Sequence, residues 1–78
     1  MDSDLARIKV LLAHACAIPA DVIRDDTHLT AYGLDSVRAM DFILAIEEAF
    51  GVEFADDQAA RLKTVADVAR YVQRQQRT

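Results

Sequence analysis

Residues 35–50 read DSVRAMDFILAIEEAF and are followed by Gly51. Within this stretch, apolar residues recur at positions i, i+3, i+4, i+7 and i+11, namely Ala39, Phe42, Ile43, Ile46 and Phe50. This spacing places one apolar stripe along a helix and predicts that the helix packs on a hydrophobic core. We expect Asp35 or Ser36 to begin the helix and Gly51 to end it.

A second stripe on the same helix is expected to face solvent. It has the same spacing but mixes apolar with acidic residues: Val37, Met40, Asp41, Leu44 and Glu48. At about 100° per residue the two stripes lie on opposite faces, so the second predicts an exposed docking surface for a partner. The alternative is a bundle that buries both faces. It is disfavoured because burying the carboxylates of Asp41, Glu47 and Glu48 is costly.

Three further helices are predicted, over about residues 3–16, 56–62 and 64–74. A long connection, residues 17–35, separates the first two helices. We expect Asp21 to cap a short turn within it, and five apolar residues to attach it to the core: Ile18, Val22, Ile23, Leu29 and Leu34. Residues 1–78 are therefore predicted to form a single all-α domain. Its fold is a four-helix bundle with a short third helix and a long loop between the first and second helices.

Charge is distributed unevenly along the 78-residue chain, whose net charge is −4. Residues 35–57 hold seven carboxylates and one cation, whereas residues 58–78 hold five cations and one carboxylate. The acidic middle predicts basic protein partners and disfavours nucleic acid. No apolar run approaches the ~20 residues that a membrane-spanning helix needs.

The reactive residue types give no catalytic or metal-binding pattern. His14 and His28 fall in different elements, and the sequence holds no CxxC, HExxH, GxGxxG, P-loop or nucleophile-elbow motif. We therefore expect neither an enzyme nor a metal site. Cys16 is the only cysteine, which excludes an intramolecular disulfide. With no secretory signal pattern at the start, we expect a cytoplasmic monomer with one buried thiol.

Ser36 stands out because it follows Gly33-Leu34-Asp35 at the start of a predicted helix. A helix N-terminus presents unpaired backbone N–H groups and a positive dipole end, so a phosphate joined to this serine would be favoured there. A modifying enzyme would also reach a hydroxyl at a junction between loop and helix. Considered alone, the residues favour an ordinary N-cap serine or a serine adjacent to the cap, because Ser and Asp cap many helices.

The stretch YGLDSV at residues 32–37 resembles the attachment motif of acyl carrier proteins, commonly Gly, any residue, Asp-Ser and an aliphatic residue. The resemblance continues through Phe54 and through TVADVARYV at residues 64–72, in the family's order and at its size. It implies that a phosphopantetheinyl transferase moves 4′-phosphopantetheine from coenzyme A to Ser36, whose arm then holds acyl groups as thioesters. Asp35 would help to present the serine to the transferase.

The resemblance also implies partners. The second helix would contact acyl-transfer, ketosynthase, reductase or acyl-ligase enzymes with basic patches, through Val37, Met40, Asp41, Leu44, Glu47 and Glu48. Primary fatty-acid members often carry an acid where this chain has Arg38, and Leu is commoner than Val37. We therefore favour a specialised pathway such as polyketide, aryl-polyene or modified-lipid synthesis. A free-standing protein is expected, with an excised synthase domain as the alternative. The alternative function is a non-covalent helical interaction module that uses the same face.

Overall fold

The computed structural model describes residues 2–76. Four α-helices follow one another as α1 (Asp2–Cys16), α2 (Ser36–Phe50), α3 (Asp56–Arg61) and α4 (Val65–Gln76). Two single-turn 3₁₀ helices, Ala20–Val22 and Leu29–Tyr32, lie in the long connection between α1 and α2. Residues 2–76 contain no β-strand, only one isolated bridge between His28 and Thr64. The predicted all-α four-helix fold is confirmed, including the short third helix.

The core lies where α1 packs against α2 and α4. Its largest fully buried side chains come from these three helices: Ile8, Leu12, Phe42, Ile46, Val65, Val68 and Val72. Each such side chain contributes about 1.5–3 kcal/mol when it leaves water. On α2 the inward stripe is the predicted one, with Phe42, Ile46 and Phe50 buried and with Ala39 and Ile43 half-buried.

Both ends of α2 are fixed by its own sequence. The Arg38 backbone N–H donates to the Asp35 carboxylate at 2.8 Å, so Asp35 is the N-cap. At the other end, Gly51 adopts the left-handed conformation with φ of 66°, and its N–H donates to the Glu47 carbonyl. A residue with a Cβ is disfavoured in that conformation, which explains the glycine.

The N-terminus of α4 is closed by a reciprocal cap between Thr64 and Asp67. The Asp67 N–H donates to the Thr64 hydroxyl at 3.1 Å, and the Asp67 carboxylate accepts the N–H groups of Lys63 and Thr64. Arg70 also pairs with this carboxylate. The hydrogen bond from the Lys63 N–H, opposed by partial burial and aided by the Thr64 N–H and Arg70, lowers the pKa of Asp67 below its ordinary value.

The long connection is held to the bundle by apolar packing, by backbone hydrogen bonds and by an ion pair between Lys9 and Asp25 at 2.6 Å. Ile23 and Leu29 are buried as predicted, but Val22 is 53% exposed, so its predicted core role is wrong. Val22 ends the first 3₁₀ turn, and successive residues there point about 120° apart, so the inward position falls to Ile23. Asp21 lies inside that turn and does not cap it. The Asp25 carbonyl accepts the N–H of Ala66 in the first turn of α4.

Candidate functional site

Ser36 is the first residue of α2 and its side chain is exposed. Because Asp35 supplies the cap, Ser36 is the residue adjacent to the cap, and its hydroxyl is not used for capping. Within residues 2–76 the hydroxyl has no hydrogen-bond partner. The arrangement therefore leaves a primary alcohol available to an incoming reagent at the positive end of a helix.

The approach to Ser36 is an ordered turn. Gly33 ends the second 3₁₀ turn in the left-handed conformation, with φ of 82°, and its N–H donates to the Thr30 carbonyl at 3.1 Å. Just before it, the Tyr32 hydroxyl accepts the Arg24 N–H at 2.8 Å. The half-buried Leu34 then attaches the chain to the core immediately before the cap. These contacts set the position of Ser36 relative to the bundle.

An apolar cleft of about 440 Å³ runs along α2 from Ser36 to Glu47 and is closed on its far side by α3. Its walls include Leu34, Ala39, Ile43, Phe54, Ala59 and Leu62. Only a few polar groups line it, among them Ser36 itself. A cleft of this size and lining suits an apolar chain that enters from the serine end.

Beside this cleft, α2 carries a mixed apolar and acidic surface, which we name the docking face; Met40 and Leu44 belong to both. The docking face comprises Val37, Met40, Asp41, Leu44 and Glu48. Its apolar members are 71%, 67% and 54% exposed, in the order Val37, Met40 and Leu44. The predicted exposure of this stripe is confirmed, and the alternative of a bundle that buries both faces is wrong.

Glu47 differs from the other carboxylates of α2. It is half-buried, and its carboxylate accepts the Phe54 backbone N–H at 2.8 Å. The docking role of Glu47 stays a prediction, whereas the hydrogen bond from the Phe54 backbone gives its side chain a structural role. Sequence reasoning missed it because the partner is a backbone group in an irregular segment.

Arg38 places a positive charge beside Ser36. The side chain is exposed, and no ion pair involves its guanidinium in the part of the chain that the structure describes. Cys16, the last residue of α1, is buried. Burial raises the pKa of the Cys16 thiol, and Arg38 partly offsets this, whereas Asp35 adds to it. A protonated, buried thiol is a poor nucleophile, so the exposed Ser36 hydroxyl is the more accessible group for modification.

Residues 2–76 contain no group of three or more His, Cys, Asp or Glu side chains that is suited to holding a metal ion. Among them, no helix is long and apolar enough to cross a membrane.

Comparison with known proteins agrees with this geometry. The family described as "Phosphopantetheine attachment site" matches residues 6–72. The acyl carrier protein of Lactobacillus acidophilus is 35% identical over 71 residues, 90% of this chain and 89% of that protein. The acyl carrier protein of Thermosynechococcus vestitus is 33% identical over 69 residues, 87% of this chain and 85% of that protein. This chain belongs to the acyl carrier protein family, whose members are carriers rather than enzymes and hold a covalently attached 4′-phosphopantetheine group.

Proposed function

We propose that the Ser36 hydroxyl oxygen is the atom that bears the phosphopantetheine arm. The observation that carries this proposal is an exposed hydroxyl, left unpaired by the Asp35 cap and opening onto an apolar cleft. The arm supplies a terminal thiol that holds an acyl group as a thioester. The protein supplies attachment, presentation and recognition.

The residues around Ser36 fit a phosphate-linked group. The backbone N–H groups of Ser36 and Val37 lie in the first turn of α2 and have no partner within residues 2–76. Together with the helix dipole they favour a negative charge at this end. Asp35 acts as a positioning residue, because its cap on the Arg38 N–H fixes the first turn and so the direction of the serine.

The α2–α3 cleft supports an apolar acyl cargo. Each methylene group that leaves water for such a lining gains about 0.8 kcal/mol, so the carrier would shelter an aliphatic chain between deliveries. Fatty-acid, polyketide and related lipid intermediates meet this requirement. The exposed charge of Arg38 on the serine side of the helix supports a specialised pathway over primary fatty-acid synthesis.

Members of this family interact with a phosphopantetheinyl transferase and with enzymes that handle acyl groups. We assign the docking face of this chain to those encounters, with ketosynthases, reductases, acyl transferases and acyl ligases as candidates. Its apolar centre and acidic surround fit a basic rim around an apolar patch on the partner. The Glu47 side chain stabilises the same surface through its hydrogen bond to the Phe54 backbone. Family membership makes the non-covalent interaction module unnecessary as an explanation of this face.

The remaining properties follow from the same features. We propose that the chain acts as a single acyl-carrier domain and as a monomer. One buried thiol with no partner for a disulfide is typical of a reducing compartment, which supports a cytoplasmic location.

The mass of the protein after enzymatic modification tests the assignment of Ser36. The protein, Ser36→Ala and Ser3→Ala, which alters the other serine in the sequence, are incubated with coenzyme A and a broad-specificity transferase. Intact-protein mass spectrometry should show one added phosphopantetheine on the parent protein and on Ser3→Ala, and none on Ser36→Ala. A modified Ser36→Ala variant would refute the assignment.

A further inference from the structure

Two basic side chains that lie far apart in the sequence, His28 and Lys63, line one groove beside Ser36. An antiparallel bridge joins His28 to Thr64, and the Leu29 N–H donates to the Lys63 carbonyl at 2.8 Å. These bonds join the segment before the second 3₁₀ turn, which holds His28, to the segment before α4, which holds Lys63. Both side chains are exposed, and neither forms an ion pair in the part of the chain that the structure describes.

The two side chains line a groove that also reaches the serine. This loop groove has a volume of about 470 Å³, and its polar lining consists of His28, Thr30, Asp35, Ser36 and Lys63. It adjoins the α2–α3 cleft, since Ser36 borders both. The apolar cleft suits a hydrocarbon cargo, whereas the polar side chains of the loop groove, whose other lining residues are Leu and Ala, suit an anionic group.

We propose that the loop groove binds the phosphodiester of the prosthetic arm, with Lys63 as the main contact and His28 as the second. The proposal rests on Ser36 as the attachment atom. A phosphodiester carries one negative charge and two free acceptor oxygens, and on Ser36 it would stand beside the Asp35 carboxylate. Lys63 offsets that repulsion, and its long flexible stem lets the ammonium group follow the phosphate. An N–H of His28 and the Thr30 hydroxyl add donors.

Covalent attachment makes a weak contact effective. An exposed pair between a lysine and a phosphate gains little in free solution, because water and salt screen it. Here the phosphate is tethered to the groove, so the contact forms intramolecularly at a high effective concentration. The groove would therefore hold the phosphate end of the arm against the loop between deliveries, and a partner would have to displace it.

The test compares holo proteins by nuclear magnetic resonance. Parent protein, Lys63→Gln, His28→Gln and the control Arg61→Gln are each modified, and apo and holo forms are compared. Arg61 is an exposed cation two positions before Lys63 that lines a different groove, facing α4. The readouts are the ³¹P resonance of the phosphodiester, its dependence on salt, and the backbone amide shifts that accompany modification.

In the parent protein and in Arg61→Gln, amide shifts should extend from residues 35–38 to residues 28–30 and 62–64. Lys63→Gln should lower the equilibrium between held and free phosphate by about two- to five-fold, the range of an exposed ion pair, and shrink the shifts at both remote segments. His28→Gln should lower it less. The Lys63 contacts with the loop use its backbone, so the variant should keep the apo spectrum of the parent.

The proposal is overturned if the parent protein shows shifts confined to residues 35–38, or if Lys63→Gln and Arg61→Gln give the same ³¹P resonance and salt dependence. If transferase and coenzyme A leave the parent protein and all three variants unmodified, that result would instead refute Ser36 as the attachment atom. The two failures are therefore distinguishable.

Discussion

The Glu47 carboxylate accepts a hydrogen bond from the backbone N–H of Phe54 at 2.8 Å, which joins the last turns of α2 to the segment leading into α3. From there the contacts continue to α4, because the Phe54 ring stacks on Tyr71 with centroids 4.5 Å apart. The Tyr71 hydroxyl in turn donates to the Glu53 carbonyl at 2.8 Å. Since Glu47 and Phe54 both line the α2–α3 cleft, this series of contacts fixes one end of it.

Replacing Glu47 should therefore cost stability, unlike replacing its neighbour. Glu47→Ala leaves a half-buried backbone N–H without its charged acceptor, and we expect the free energy of unfolding to fall by about 1–3 kcal/mol. Glu48 is exposed on the docking face, so Glu48→Ala should change it by at most about 0.5 kcal/mol. Urea denaturation followed by circular dichroism measures both. Equal effects of the two substitutions would contradict a structural role for Glu47.

The α2 helix is the part of the fold that the sequence predicted best. Its cap, its glycine stop and its two stripes depend on residues within a few positions of each other, so local rules suffice for Asp35, Gly51 and the buried positions between them. Ser36 as a free hydroxyl also follows from local geometry, once Asp35 is recognised as the cap.

The irregular segments could not be predicted in the same way. Whether Val22 or Ile23 points inward depends on how the long connection meets the bundle, and both are equally apolar. The pairing of His28 with Thr64 joins segments 36 positions apart through backbone contacts, which leave no signature in side-chain type. Likewise, the acceptor role of Glu47 requires knowing where the Phe54 backbone lies.

Substitutions of two aliphatic residues that lie two positions apart on α2 should distinguish a loss of stability from a loss of partner binding. Ile46 is fully buried, so Ile46→Ala should lower the free energy of unfolding by about 2–5 kcal/mol, a large share of the ~5–15 kcal/mol typical of a domain. Leu44 is 54% exposed, so Leu44→Ala should cost far less, about 0.5–1 kcal/mol. It should, however, weaken binding to the transferase, as measured by surface plasmon resonance. Unchanged binding would remove Leu44 from the docking face.

The cap of α4 should make the free energy of unfolding depend on pH in the acidic range. The folded-state pKa of Asp67 lies below its ordinary value of about 3.8, so the unfolded chain takes up this proton first as the pH falls. Its contribution is therefore complete above that ordinary value and is lost as the pH falls through the folded-state pKa. Urea denaturation at pH 7 and at pH 3 should show a smaller loss of stability in Asp67→Asn than in the parent protein.

The matched control for this pH dependence is Asp26→Asn. Asp26 is an exposed carboxylate in the long connection, with no hydrogen bond or ion pair in the part of the chain that the structure describes. The Asp26→Asn substitution removes the same charge without touching the cap, so this variant should keep the acid sensitivity of the parent protein. If Asp67→Asn keeps it too, the reciprocal cap is not the source of the pH dependence.

Charge on the docking face should govern how fast partners bind. Asp41→Lys and Glu48→Lys reverse exposed carboxylates there, and stopped-flow association with the transferase should slow by several-fold or more at low ionic strength, because attraction to a basic rim is lost. Near 1 M salt, where the screening length falls to about 3 Å, the difference should largely vanish. Asp26→Lys makes the same change of net charge away from the face and should slow association less. If all three variants slow it equally, net charge rather than the docking face steers the encounter; if none does, the partner surface is not basic.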